Sequence, residues 1–489
     1  MNDRRRAFAA VRWTAASTVG RAVLQVAQVS LLARLLRPQD FGLMAIVIAV
    51  FGMAQLMADF GLGAALIHHR DVSQEQLESL FWLNLLVALA LGVTVLAVGP
   101  LLAWSYREPE LARLVALMSP SFVLTALGQQ LRAQAEKRLD FRSIAFVELG
   151  GQLTSLVAAT GFAWAGAGVY AFVAGALCSA AMSSSLAWLV LAHGWRPRLR
   201  FRIDEVRSLL GFGGWQVSSN LVGTINAQLD VLIGARTMGG HLLGIFQVPR
   251  DLVMRLAGVV NPVFSRVSFP LMAETQHESE RLAGIYGKVL QLTAGINFPA
   301  YALIAVEGEE LVRVLFGPAW AGGVDALKVL CIWAAIRSTG NPVGSLLAAT
   351  GKVRLGFHWN LWLLPLLAAA VAIGSSRGPT GLAYGLLCAQ VLLLVPSWYY
   401  LVRPCCGMPL RAYAAILGRP ALAAGLAVAC ARGVILQLSS TPGLAQALGV
   451  CVLFAPVYLA ASWLVNRPFV RELALLPRAL AGASSSNAL

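Results

Sequence analysis

Apolar runs of roughly twenty residues recur along the whole of this chain, and that rhythm leaves few folds open. Inside a bilayer the backbone finds no water to bond, so only helices or closed barrels can cross it. A barrel needs short strands that alternate with period two, whereas these runs are long and uniformly apolar. Fourteen spans can be marked, at 13–36, 41–67, 79–103, 112–131, 144–165, 168–192, 209–235, 241–272, 285–306, 323–348, 354–374, 379–402, 412–436 and 443–465. Only 12% of the 489 residues are charged, about half the share of a soluble protein. The expected fold class is an all-α polytopic membrane protein of about fourteen transmembrane helices.

A net charge of +15 would suit nucleic acid, but its distribution argues for topology. With the N-terminus inside, 24 Lys and Arg fall in loops on one side, among them Arg4, Arg5, Arg6, Arg132, Lys137, Arg138, Arg196, Arg198, Lys352, Arg403, Arg411 and Arg467. The opposite loops hold six: Arg37, Arg107, Arg113, Arg236, Arg313 and Arg377. That asymmetry places both termini in the cytoplasm. Membrane lipids, with their anionic headgroups, are the expected partner of these cations, and no nucleic acid is expected. The opening arginines resemble a twin-arginine signal only faintly, and the long apolar segment behind them carries Arg21, so it reads as an uncleaved first helix. The seven cysteines are scattered, and the histidines find no third ligand at metal spacing. Neither a metal nor a cofactor is expected.

The largest break in composition is 193–208, HGWRPRLRFRIDEVRS, which follows six spans and precedes eight. It divides the chain into a first lobe at 1–192, a basic cytoplasmic linker, a second lobe at 209–402 and two further helices with a tail at 403–489. A shift of 202 residues pairs Trp13 with Trp215, Ser17 with Ser219, Ala33 with Ala235, Arg34 with Arg236 and Gly42 with Gly244. Identity is sparse, but two polar stripes match under the same shift. Thr14, Ser17, Arg21 and Gln28 share one helical face, as do Gln216, Ser219, Gly223, Asn226 and Asp230. Six helices separate the repeats, so they run parallel. Two pseudo-symmetric lobes with a central polar cavity are the architecture this implies.

Charges within the spans are the informative residues, because each costs at least about 2.5–3.5 kcal/mol at the bilayer centre and so turns toward protein or water. The eighth span carries Arg250, Asp251, Arg255 and Arg266. Asp251 and Arg255 are spaced to pair, which leaves Arg250 and Arg266, together with Arg21, as uncompensated cations. Asp59 and Asp230 are the candidate counter-charges, while Glu148, Lys328, Arg337 and Arg432 stand alone and read as structural. A cavity richer in cations than anions suits an anionic ligand, and arginine binds phosphate oxygens in bidentate fashion. Gln25, Gln28, Asn226 and Gln228 offer the paired donors and acceptors that sugar hydroxyls need. No Gly-rich phosphate loop, Ser/His/Asp set or paired acidic motif stands out, and no loop is long enough to form a catalytic domain. The chain is therefore not expected to be an enzyme.

The segment RWTAASTVGRAVLQVAQVSLLARLLRPQDFGLMAIV, followed by ADFGLGAA at 58–65, closely resembles bacterial Wzx-type polysaccharide exporters. QLDVLIGARTMGGHLLGIF, Phe269-Pro270-Leu271, LFGPAW at 315–320 and ATGK at 349–352 recur in the expected order, so the resemblance covers about residues 10–360. It departs at Ile245-Phe246, where such relatives often have tyrosine. The resemblance implies the multidrug/oligosaccharidyl-lipid/polysaccharide exporter superfamily, with two lobes and alternating access. The implied cargo is an undecaprenyl-pyrophosphate-linked oligosaccharide, moved from the cytoplasmic to the periplasmic face of the bacterial inner membrane. On that reading Arg21, Arg250, Arg255 and Arg266 hold the pyrophosphate, with Gln25, Gln28 and Asn226 on the sugars. Asp59, Asp230 and Asp251 are candidates for ion coupling. A polysaccharide polymerase and other assembly proteins are the expected associates. Two alternatives are a multidrug antiporter, which should carry excess acid in its cavity, and a membrane polymerase or ligase, which should carry a large periplasmic loop.

Overall fold

The computed structural model describes residues 2–59, 73–198, 201–202, 214–438 and 444–473. Those residues are helical nearly throughout, with no strand among them. Two compact units divide the chain, Met1–Val248 and Pro249–Leu489. The first contains α1 (Asn2–Leu35), α2 (Pro38–Asp59), α3 (Gln74–Tyr106), α4 (Glu110–Met118), α5 (Pro120–Lys137), α6 (Phe141–Trp164) and α7 (Tyr170–Val190). The long α8 (Gly214–Glu274) begins there and ends in the second unit. After it come α9 (Ser279–Val306), α10 (Gly308–Leu315), α11 (Val324–Ser338), α12 (Asn341–Ala349), α13 (Val353–Ser375), α14 (Gly378–Leu392) and α15 (Leu394–Ser397). A π turn at Trp398–Val402 leads into α16 (Arg403–Cys406), α17 (Leu410–Leu438) and α18 (Leu444–Val465).

Each of the fourteen expected spans overlaps one of these helices or a broken pair of them. By length and apolarity, eleven helices among the described residues suffice to cross a membrane, or twelve if the bent pair Gly378–Leu392 and Leu394–Cys406 is one span. The difference has two sources. The arginine-bearing α1 falls outside that set, and α8 runs as one helix through two expected spans. Gly239 breaks α8 between them with φ 75° and ψ 171°, a conformation open to glycine and strained for other residues. Helix starts follow local chemistry. Ser73 and Gln76 form a reciprocal capping box ahead of α3, and Asp140 accepts the Ser143 N–H ahead of α6.

Within the first unit, α6 packs between α1 and α7, and α3 packs on α4 and α5. The tightest approach lies where α2 begins. A Cβ on Gly42 would overlap the Gly240 carbonyl oxygen and lie 2.8 Å from its carbon and 3.0 Å from Gly244 N. A Cβ on Gly244 would overlap the Pro38 carbonyl oxygen and lie 3.2 Å from Gly42 N. The repeat shift of 202 residues carries Gly42 onto Gly244 and Pro38 onto Gly240. The two close contacts are therefore one contact seen from either side, and the crossing of α2 with α8 has local two-fold symmetry. Phe41 and Phe172 meet edge to face beside it at 4.9 Å, and Tyr106 Oη donates to Leu232 O at 3.1 Å.

In the second unit, α17 and α18 pack together and α17 lies along α9. The chain beyond α18 is pinned to α9 as well. Gln291 Nε2 donates to Asn466 Oδ1 at 2.8 Å inside a buried contact, and Lys288 pairs with Glu472 at 3.0 Å. Phe469 is buried against Gly295, which leaves no room for a Cβ. Removing the donor with Gln291→Leu strands a buried amide oxygen, at a cost of about 1–3 kcal/mol. Thermal unfolding of the detergent-solubilised protein should show a lower midpoint for that variant, and an unchanged midpoint would mean the pair is wet.

Candidate functional site

The polar face of α1 meets a matching face on α6. Arg21, Gln25 and Gln28 are spaced by four and three residues, as are Glu148, Gln152 and Ser155, so each set lines one side of its helix. Arg21 Nη1 lies 2.9 Å from Glu148 Oε1. Gln25 Nε2 donates to Gln152 Oε1 at 3.5 Å, and Gln28 Nε2 donates to Ser155 Oγ at 3.2 Å. Gln152 Nε2 closes the ladder by donating to Gln28 Oε1 at 2.9 Å. All three rungs join residues 127 apart, a constant register that only parallel neighbours can keep. Small residues set the depth of this packing, since a Cβ on Gly20 would touch Leu149 at 3.0 Å.

The ladder is partly open, with the side chain of Arg21 at 41% exposure and that of Glu148 at 26%. Such a half-exposed pair adds at most about 1 kcal/mol to stability in water. Its larger effect is to let an arginine sit within an apolar span, where alone it would cost about 2.5–3.5 kcal/mol. Arg132 on α5 is within electrostatic reach of both partners, and Glu136 lies one turn further along. The Arg132 Nε is buried without a hydrogen-bond partner among the described residues. Two arginines and two carboxylates thus form a formally neutral cluster. This corrects two expectations: Arg21 is compensated, and Glu148 does not stand alone.

The remaining expected site residues are spread over both units. Asn226 is half-buried on α8, and Asp230 is buried there, its Oδ1 accepting the Val231 N–H at 2.9 Å. In the second unit Arg250 is buried with Nη1 4.0 Å from Asp251 Oδ1, so Asp251 meets its neighbour as well as being spaced for Arg255. Arg255 is half-buried. The side chains of Asp59 and Arg266 lie outside the described residues. Three other residues read as solitary also have company. Lys328 lies 3.8 Å from Asp325, Arg337 stacks over Trp333 at 5.2 Å, and Arg432 Nη1 donates to Val306 O at 3.4 Å. Beside that last contact, burial raises the Glu307 carboxyl above its ordinary range while Arg432 opposes the shift. No group of three His, Cys, Asp or Glu is placed to hold a metal among the described residues.

Glu148, Gln152, Ser155 and Arg132 were missed as site residues in the sequence. Their spacing gave a signal, because 148, 152 and 155 reproduce the steps of 21, 25 and 28. What the spacing lacked was the pairing of the two helices.

Residues 31–325 match the family described as "Polysaccharide biosynthesis protein". The chain is 29% identical over 440 residues to the lipopolysaccharide biosynthesis protein WzxC of Escherichia coli K12, covering 89% of each chain. It is 24% identical over 471 residues to the succinoglycan biosynthesis transport protein ExoT of Rhizobium meliloti 1021, covering 96% of this chain and 95% of that one. Among solved structures, the lipid II flippase MurJ in an inward closed conformation shares the fold. It superposes with a TM-score of 0.74 at 14% identity, over 94% of this chain and 100% of MurJ.

Proposed function

This chain belongs to the polysaccharide biosynthesis protein family, and from that premise we propose that it is a flippase for lipid-linked oligosaccharide. The cargo is an undecaprenyl-pyrophosphate-linked repeat unit, carried by alternating access from the cytoplasmic to the periplasmic face of the bacterial inner membrane. Both termini are cytoplasmic, as the placement of the basic loops favours. The product feeds exopolysaccharide, capsule or O-antigen synthesis, with a polymerase and other assembly proteins acting on it afterwards. The repeat supports a division into lobes at 1–192 and 209–402, with 403–489 appended.

The observation that carries the reading is the ladder on α1 and α6. Arginine offers a planar fork to phosphate oxygens, and Arg21 is held in place by Glu148 with a large part of its surface open. A pyrophosphate competes with that carboxylate for the guanidinium. Because the resting cluster is neutral, the span stays cheap to insert while empty, and the arginine is bared only when a stronger anion arrives. Gln25, Gln28 and Asn226 serve the sugar hydroxyls. Arg250, Arg255 and Arg266 are the cations that α8 contributes, and the polyprenyl tail stays in lipid. Asp59, Asp230 and Asp251 are the carboxylates through which an ion gradient drives the cycle.

The test is made in cells lacking this gene, by following lipid-linked oligosaccharide on each face of the inner membrane. It should accumulate on the cytoplasmic face, and the intact gene should clear it. An Arg21→Ala/Arg255→Ala version present at normal level should not. Normal translocation with unpolymerised repeats on the periplasmic face would instead make the protein a polymerase or ligase.

A further inference from the structure

The second unit carries a cationic and aromatic surface that the transport reading does not use. It centres on the π turn at Trp398–Val402, where the Arg403 N–H donates to the Trp398 carbonyl, five residues back. In an ordinary α-helix, residues five apart point about 140° away from one another. The wider turn brings them onto one side, and it sets the Arg403 guanidinium over the Trp398 ring at 5.9 Å and over Tyr399 at 5.4 Å. The indole is fixed in turn, because Trp398 Nε1 donates to Met408 O at 2.9 Å. A guanidinium stacked in this way keeps its in-plane N–H groups for an acceptor from outside.

The neighbouring helix supplies the rest of the surface. Trp359 on α13 stands 6.4 Å from Tyr400, and Lys352, just before α13, donates through Nζ to Pro404 O at 2.5 Å. From there Arg354, His358, Trp362 and Leu366 follow at steps of four and form one stripe about 18 Å long. All four are exposed, Trp362 to 78%. The stripe is cationic at its start and apolar beyond. Arg411 is exposed at the start of α17.

Counter-charge is scarce in this part of the chain. From residue 326 to residue 471 the sequence contains no Asp or Glu. The carboxylates that bound this stretch are Asp325, 3.8 Å from Lys328, and Glu472. Glu278 pairs with Arg281 at 3.5 Å, and Glu472 pairs with Lys288. Among the described residues no carboxylate oxygen lies within ion-pair distance of Lys352, Arg354, Arg403 or Arg411.

We propose that this surface binds an anionic phospholipid of the surrounding bilayer. The headgroup phosphate sits against Arg403 and Arg354, and an acyl chain follows Trp362 and Leu366. The continuous change from cation to apolar side chain along one helix face is what selects an amphiphile over free phosphate. Tyr399 and Tyr400 are exposed beside these cations, and tyrosine is a ring that membrane interfaces gather. The site is separate from the α1/α6 ladder and does not depend on what cargo the protein moves.

The test uses the full-length protein in phosphatidylcholine vesicles that contain a trace of spin-labelled phosphatidylglycerol or spin-labelled phosphatidylcholine. The wild type should immobilise the phosphatidylglycerol label about three- to fivefold more than the phosphatidylcholine label. Arg354→Gln/Arg403→Gln should bring the two labels level. Arg467→Gln, which removes another arginine stacked on a tryptophan, should leave the preference intact. Should the double variant misfold, Trp362→Ala keeps every charge and should still weaken immobilisation of the label. Equal immobilisation of both labels by the wild type would overturn the proposal. So would equal loss in Arg467→Gln, or abolition by millimolar inorganic phosphate at constant ionic strength.

Discussion

Replacing Gly42 with valine is expected to stop glycan export while the protein still reaches the membrane. The new side chain has no flexible neighbour to displace. Its first carbon would fall on the Gly240 carbonyl, and the atoms around it are backbone of α8. Overpacking of this kind costs typically about 1–3 kcal/mol, and a rigid surround puts it at the upper end. If the crossing is closed in one half of the transport cycle and open in the other, the whole penalty falls on the closed state. About 3 kcal/mol removes that state by roughly a hundredfold. In the proposed orientation, with both termini cytoplasmic, the crossing would lie toward the periplasmic side and would be the closure there. Gly244→Val should behave alike, and the double variant should be little worse than either alone, because both break the same contact. Gly52 on the same helix has nothing within 4 Å of its Cβ position, so Gly52→Val serves as the control. Wild-type export by Gly42→Val would show that this closure is dispensable.

A charge swap separates the two roles that Arg21 could have. Arg21→Ala leaves Glu148 without its ion-pair partner in a half-buried position, and both export and protein level should suffer. Arg21→Glu/Glu148→Arg restores opposite charges on the same rung between α1 and α6, 2.9 Å apart in the native pair. Protein level and thermal stability should return, because the pair again neutralises itself within the span. Export should stay at least tenfold down, since the guanidinium now projects from the wrong helix to meet the phosphate. Full recovery of export in the swap would make Arg21 a strut and move the substrate contact elsewhere.

Most of the fold is legible in the residues, for a physical reason. A span that must satisfy its own backbone in lipid needs about twenty apolar residues wherever it occurs, so each segment announces itself locally. Even the break in α8 is written locally, in Gly239-Gly240. The contents of the site were harder to read. Arg21 carries no local sign that its partner is Glu148, because the contact spans 127 residues and depends on which helices lie side by side. Read alone, Arg21 looks like a free cation and Glu148 like an isolated acid. The same holds for Arg432, whose partner is a main-chain carbonyl on another helix, whereas Lys328 had a local sign in Asp325, one turn back. The π turn at Trp398 left no mark in the sequence pattern, since nothing in WYYLV distinguishes a five-residue turn from an ordinary one.

The symmetric crossing of α2 with α8 also has a bearing on ancestry. A contact in which each side presents the same residues to the other is the kind that two copies of one polypeptide make across a dyad. Half of this chain, translated alone, would carry everything needed to dock onto a twin: the proline, the glycine one turn later and the close backbone approach between them. Fusing two such halves would have kept the joint while freeing each side to change, and here glycine at 240 holds the place that proline holds at 38, where a dimer would have had one residue twice. On this view the joint was solved once, as an assembly of equals, and inherited by the single chain.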